Sequence, residues 1–103
     1  MTQRSAFVLT VRPEKVEEYV KAHRAVWPEM LEALRAAGIH NYSIFRAGNE
    51  VFGYFEADDL DAAGRYLDAQ DVSRRWQDHM AGLLEERVPD AGPPPLEEIF
   101  RLD

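Results

Sequence analysis

The period of the apolar positions changes along this chain, and each change marks an element. Ser5 to Val11 (SAFVLTV) is a short apolar run rich in strand formers, stopped by Arg12-Pro13. Phe7, Leu9 and Val11 share one face, and Ala6, Val8 and Thr10 share the other. Both faces suit burial, so the pattern predicts a central strand. From Pro13 to Ala37 the period becomes helical, with Val16, Val20, Val26 and Met30 recurring at three- and four-residue steps or multiples of them. Pro13 suits a first helical turn, Glu14 is a favourable charge there, and Gly38 is a natural stop. Pro28 cannot donate its backbone bond and crowds the carbonyl of Arg24. A break is therefore expected between His23 and Pro28, with a second helical piece from Pro28 to Ala37.

Ile39–Arg46 and Glu50–Ala57 read as two strands joined at the turn Ala47-Gly48-Asn49. In the first, alternation puts His40, Tyr42 and Ile44 on one face. In the second, Gly53 leaves space for close approach of another group. Asp58-Asp59 signals a helix start, with Leu60, Ala63 and Leu67 behind it. Asp71 reads as a second cap, followed by a helix with Val72, Trp76, Met80 and Leu83 or Leu84 inward. Val88 to Pro95, with four prolines and a glycine, predicts an irregular crossing segment. Leu96–Leu102 (LEEIFRL) fits either a helix or a strand, and a final strand is preferred because it would close the sheet.

The order strand, helix, strand, strand, helix, strand predicts an α+β, ferredoxin-like (βαββαβ) domain: an antiparallel sheet with helices on one face. The other face is left open, and in a small domain it invites a second copy or a ligand. The 103 residues suit one domain, 1–103. At that size roughly two-thirds of the unfolded surface is buried, so pairing with a second copy would help. A net charge of −7 argues against nucleic acid and anionic membrane as partners. The absence of cysteine excludes disulfides and thiolate chemistry. Met1–Ala6 lacks the apolar core of a signal peptide, and no run approaches a membrane span. The expected compartment is the cytoplasm.

Tyr19 and His23 stand four residues apart on the otherwise apolar face of the first helix. Taken alone, His23 fits a half-buried histidine bonded to backbone slightly better than a general acid or base. Tyr19 beside it shifts the balance, because two inward polar groups need many partners and a polar ligand could supply them. Proton transfer is the chemistry such a pair suggests, since histidine titrates nearest neutral pH. Tyr42, central on its strand, is either core or a phenolic hydrogen-bonding group over the sheet. Trp76 is either core or a flat platform for the C–H face of a sugar. Gln77, Arg75 and Asp78 read as solvated, His79 as structural, and Trp27 as an anchor for the break. His23, His40 and His79 form no metal-binding motif. No phosphate loop or serine elbow is present.

These residues together resemble the L-rhamnose mutarotases. The likeness runs through AFVLTVRPEKVEEYVKAH, VWPEMLEALRAAGIHNYSIF, DVSRRWQDHM and the terminal LEEIFRLD. Tyr-x-x-x-His, Trp-Pro-Glu, Gly-x-His-Asn-Tyr and Arg-Trp occur in order at the family spacing, and the combination is specific where each alone is weak. The resemblance implies a ferredoxin-like dimer of the α+β barrel type that interconverts the α and β anomers of a six-carbon deoxy sugar without cofactor or metal. It implies His23 as proton donor, and Tyr19, Tyr42 and Trp76 as sugar-binding residues. Gln77 falls where the best-known members carry a second sugar-contacting tryptophan, so an amide replaces an apolar surface there. The alternatives are a small ferredoxin-like monooxygenase acting on a quinone or aromatic substrate, and a non-catalytic dimeric binding domain.

Overall fold

A computed structural model describes residues 2–86 and 93–102 of the chain. Strand β1 spans Gln3–Thr10, β2 spans His40–Ala47 and β3 spans Glu50–Ala57. They form one antiparallel sheet in the order β1-β3-β2. A short 3-10 turn at Pro13–Lys15 leads into α1, Val16–Arg24, and α2 follows at Pro28–Ala36. Helices α3, Leu60–Asp68, and α4, Asp71–Ala81, complete the element order. The break expected before Pro28 lies between Arg24 and Pro28, with Trp27 as the residue that caps α2.

The helices cover the sheet face that carries Leu9, Ile44, Val51, Phe55 and Ala57. Val11, Tyr19, Met30, Val51, Val72, Trp76, Met80, Leu83 and Leu84 belong to the larger core cluster, so both candidate leucines after α4 are inward. A smaller cluster joins Ile39, Ala57 and Ala63. Asp59 caps α3 as expected, its carboxylate accepting the Ala62 backbone N–H at 3.0 Å. Asp71 does not cap α4. Gln70 holds that position and Asp71 is the first helical residue, paired with Arg74 and Arg75.

Three other expectations are corrected. Within the three-stranded sheet the central strand is β3, because β1 bonds a full strand on one side only. Its outer edge meets isolated partners: Arg12 N–H donates to Leu83 O, Glu85 N–H to Thr10 O, and Leu96 N–H to Ala6 O. The expected final strand at Leu96–Leu102 is therefore beside β1 but forms no ladder. Ile99, Phe100 and Leu102 stay exposed, so they gain little apolar burial to set against the entropy of ordering a strand. Of the expected irregular stretch Val88–Pro95, residues 88–92 lie outside the described residues.

The space at Gly53 is filled from within the fold. Phe7 pairs with Gly53 across the sheet, and a Cβ on Gly53 would stand only 2.2 Å from the Phe7 ring. The close approach read from the sequence is thus the Phe7 ring. Finally, His40 does not share a face with Tyr42 and Ile44. The register shifts by one residue between His40 and Ser43, which turns His40 to the open face opposite Glu56.

Candidate active site

Tyr19 and His23 meet on one face of α1, as four-residue spacing on a helix requires. Their rings lie 4.3 Å apart. His23 Nδ1 is 2.9 Å from the backbone carbonyl oxygen of Tyr19. A carbonyl only accepts, so Nδ1 carries the proton in that bond. Nε2 of the neutral ring is then an acceptor with no partner among the described residues, and it becomes a donor when the ring is protonated.

The edge of Trp76 stands against His23, with ring centroids 5.5 Å apart and planes at 80°. Trp76 is held from its other side by Trp27, at 5.1 Å and 84°. Trp27 in turn stacks on His79 at 5.7 Å, and the Arg75 guanidinium sits 6.0 Å from its ring. Arg75 also pairs with Asp71 and Glu29, tying α4 to the start of α2. Trp27 thus anchors the break, as its position before Pro28 suggested. Trp76 is only 7% exposed, so in the single chain a ligand could reach only a small part of it.

Tyr42 lies across the site on β2, against Phe55 at 5.3 Å and edge-on to Phe7 at 6.5 Å. Although 39% of its surface is exposed, desolvation raises its phenol above the ordinary range, and the nearby Tyr19 pushes it further. Desolvation likewise raises Tyr19 from 10.0 to about 12. Both groups therefore remain neutral phenols at physiological pH, fit to donate and accept hydrogen bonds but not to act as phenolate bases.

A cleft of about 280 Å³ opens at this place, lined by Tyr19, Val20, His23, Arg24, Ile44, Phe45, Arg46 and Val51. Two predicted site residues, Tyr19 and His23, line it directly. Trp76 backs His23, and Tyr42 flanks Tyr19. Gln77 is exposed on α4 and lies outside the cleft lining. Arg24 and Arg46 were not singled out from the sequence. Two signals point to them: Arg24 follows His23 directly, and Arg46 has the parity of Tyr42 and Ile44 on β2. Arg46 Nη1 donates to Gly48 O at 2.8 Å, which fixes it at the rim. Among the described residues, no group of three or more His, Asp or Glu side chains could hold a metal ion, and no helix is long and apolar enough to cross a membrane.

Comparison with known proteins matches this architecture throughout. The sequence model of the L-rhamnose mutarotase family matches residues 4–102. An L-rhamnose mutarotase of Bacillus subtilis is 38% identical, with 98% of this chain and 99% of that protein covered. One from Pectobacterium atrosepticum is also 38% identical, covering 97% and 98%. The crystal structure of an L-rhamnose mutarotase from Formosa agariphila superposes with a TM-score of 0.79 at 28% identity, over 98% of this chain and 99% of that one. A conserved protein from Methanosarcina mazei shares the fold at a TM-score of 0.65 and 17% identity, covering 84% of each chain. With nearly its whole length matched by the family's sequence pattern, this chain belongs to the L-rhamnose mutarotase family.

Proposed function

We propose that the protein interconverts the α and β anomers of L-rhamnose, or of a closely related deoxy sugar, by opening and reclosing the hemiacetal ring. The observation that carries this reading is the His23 imidazole on the wall of a cleft, its Nδ1 occupied by Tyr19 O and its Nε2 without a partner among the described residues. Opening requires a proton delivered to the ring oxygen and one removed from the anomeric hydroxyl. Closure on the other face of the aldehyde reverses both transfers. In its doubly protonated form His23 gives the Nε2 proton to the ring oxygen and is left as the neutral Nδ1–H ring, while the proton of the anomeric hydroxyl passes to water; on closure Nε2 takes its proton back. Nδ1 stays bonded to Tyr19 O throughout, so the ring does not turn between transfers. General acid–base help of this kind is worth about 10²–10⁴ in rate, or roughly 3–5 kcal/mol of barrier.

Tyr19 and Tyr42 hold sugar hydroxyls as neutral phenols, and the exposed margin of Trp76 packs on an apolar part of the ring. Gln77 adds an amide only if the bound sugar extends beyond Trp76 along α4. The chain acts as a single cytoplasmic domain that pairs with a second copy. Support for the pair comes from the open sheet face, where Val8, Phe52 and Phe45 lie in register across all three strands and Phe45 is 67% exposed. The terminal residues Ile99, Phe100 and Leu102 offer further apolar surface for a partner to cover. Neither the monooxygenase nor the purely binding reading gains an observation of its own.

The test is a saturation-transfer NMR panel of anomer exchange over L-rhamnose, L-fucose and several D-aldohexoses. Accelerated exchange with L-rhamnose among the best substrates supports the reading. No acceleration of any of these sugars would contradict it.

A further inference from the structure

Between His40↔Glu56 and Ser43↔Tyr54, two residues of β2, Asn41 and Tyr42, oppose one residue of β3, Phe55. This is a β-bulge, and its first residue, Asn41, has φ of +49°. That left-handed conformation is rare for residues other than glycine, and asparagine tolerates it better than most. The bulge reconciles two demands that regular alternation sets against each other. Without it, keeping Tyr42 on the helix side would carry His40 inward against the buried Ala57. Keeping His40 opposite Glu56 would instead carry Tyr42 to the open face.

The bulge is held from the open face by one carboxylate. Asn41 Nδ2 donates to Glu56 Oε1 at 2.9 Å. Tyr54 OH donates to Glu56 Oε2 at 2.6 Å. His40 Nε2 stands 3.6 Å from Oε1, and His40 Nδ1 donates to Gly38 O at 3.1 Å. Hydrogen bonding from Tyr54 and then from Asn41 lowers the pKa of Glu56, so it is the charged form that binds them. No member of this group lines the cleft, yet the backbone it fixes is the backbone that bears Tyr42.

We propose that Asn41 is a positioning residue: its left-handed backbone sets the bulge that turns Tyr42 toward Tyr19 and the sugar, and its bond to Glu56 is an accessory tie. The proposal rests on the reading of Tyr42 as a sugar-holding residue. A β-branched side chain at Asn41 would oppose the left-handed backbone, whereas glycine would keep it and lose only the bond to Glu56.

The experiment compares Asn41→Val, Asn41→Gly and Tyr42→Phe by KM and kcat for L-rhamnose anomer exchange. Nuclear Overhauser contacts between the Tyr42 and Phe55 rings are measured on the same samples. Asn41→Val is expected to raise KM about tenfold with kcat nearly kept, and to weaken the ring contact. Asn41→Gly is expected to retain the contact and most of the affinity, and it serves as the arm that folds if valine does not. Full affinity and an unchanged ring contact in Asn41→Val would overturn the proposal, as would an Asn41→Gly variant that loses the contact. If Tyr42→Phe keeps the normal KM, the sugar-holding reading of Tyr42 falls. The ring contact then decides by itself whether Asn41 positions Tyr42.

Discussion

His23 Nδ1 lies 2.9 Å from the carbonyl oxygen of Tyr19, one helical turn earlier on α1. Sequence spacing and chemistry meet in this bond. The four-residue step that puts the two side chains together also brings a backbone acceptor to the imidazole, and the acceptor selects the tautomer. The neutral His23 ring should therefore carry its proton on Nδ1. Long-range ¹H–¹⁵N correlation spectra should show a protonated Nδ1 and a bare Nε2. The opposite tautomer would remove the Nε2 acceptor on which the proton-transfer scheme depends.

Trp76 is wedged between His23 and Trp27 with little surface left open. Trp76→Ala would leave a large void and cost about 3–5 kcal/mol, a substantial share of a small domain's stability. The milder Trp76→Phe should keep the fold, raise KM for the sugar several-fold and leave kcat less affected. An unchanged KM in Trp76→Phe would show that its role is packing alone.

Gly53 accommodates the Phe7 ring, and that ring also meets Tyr42 and Phe55. A methyl group at this position must displace an aromatic side chain that is packed on several sides. Gly53→Ala is expected to destabilise the protein by about 1–3 kcal/mol in urea unfolding and to shift the Tyr42 ring resonances. Wild-type stability would mean that Phe7 can move aside freely.

Tyr19 is raised from 10.0 to about 12 by desolvation. The folded state thus keeps its phenolic proton where the unfolded chain has lost it. The stabilisation is fully present below pH 10 and is lost as pH climbs toward 12. Tyr42, raised in the same direction, adds to the fall. Unfolding free energies measured from pH 8 to 12 should decline more steeply for wild type than for Tyr19→Phe. Parallel curves would mean that the phenol is better solvated than its burial implies.

Much of this was legible in the chain because local chemistry decided it. Pro28 forced the break, Asp59 capped α3, and helical spacing put Val72, Trp76 and Met80 inward. What escaped the sequence depended on pairing between distant segments. The bulge at Asn41 inverted the expected face of His40, and nothing in HNYSIF announces a register shift. Gly53 marked a close approach, but only the β1–β3 register showed that Phe7 makes it. The terminal LEEIFRL has the apolar content of a strand, yet it is tied to β1 by the Leu96 edge bond and the Arg4–Glu98 ion pair without a ladder, and its apolar side chains stay exposed. Within the site, Tyr19, His23 and the outward position of Gln77 were readable from spacing alone, whereas the rim arginines emerged only with the helices and sheet in place.

The central claim is that His23 carries the proton that opens the sugar ring. It is tested most directly by saturation-transfer NMR of L-rhamnose anomer exchange with His23→Ala, its fold checked by circular dichroism. A folded variant whose exchange falls to near the uncatalysed rate is the predicted result. Exchange as fast as wild type in that folded variant would contradict the account.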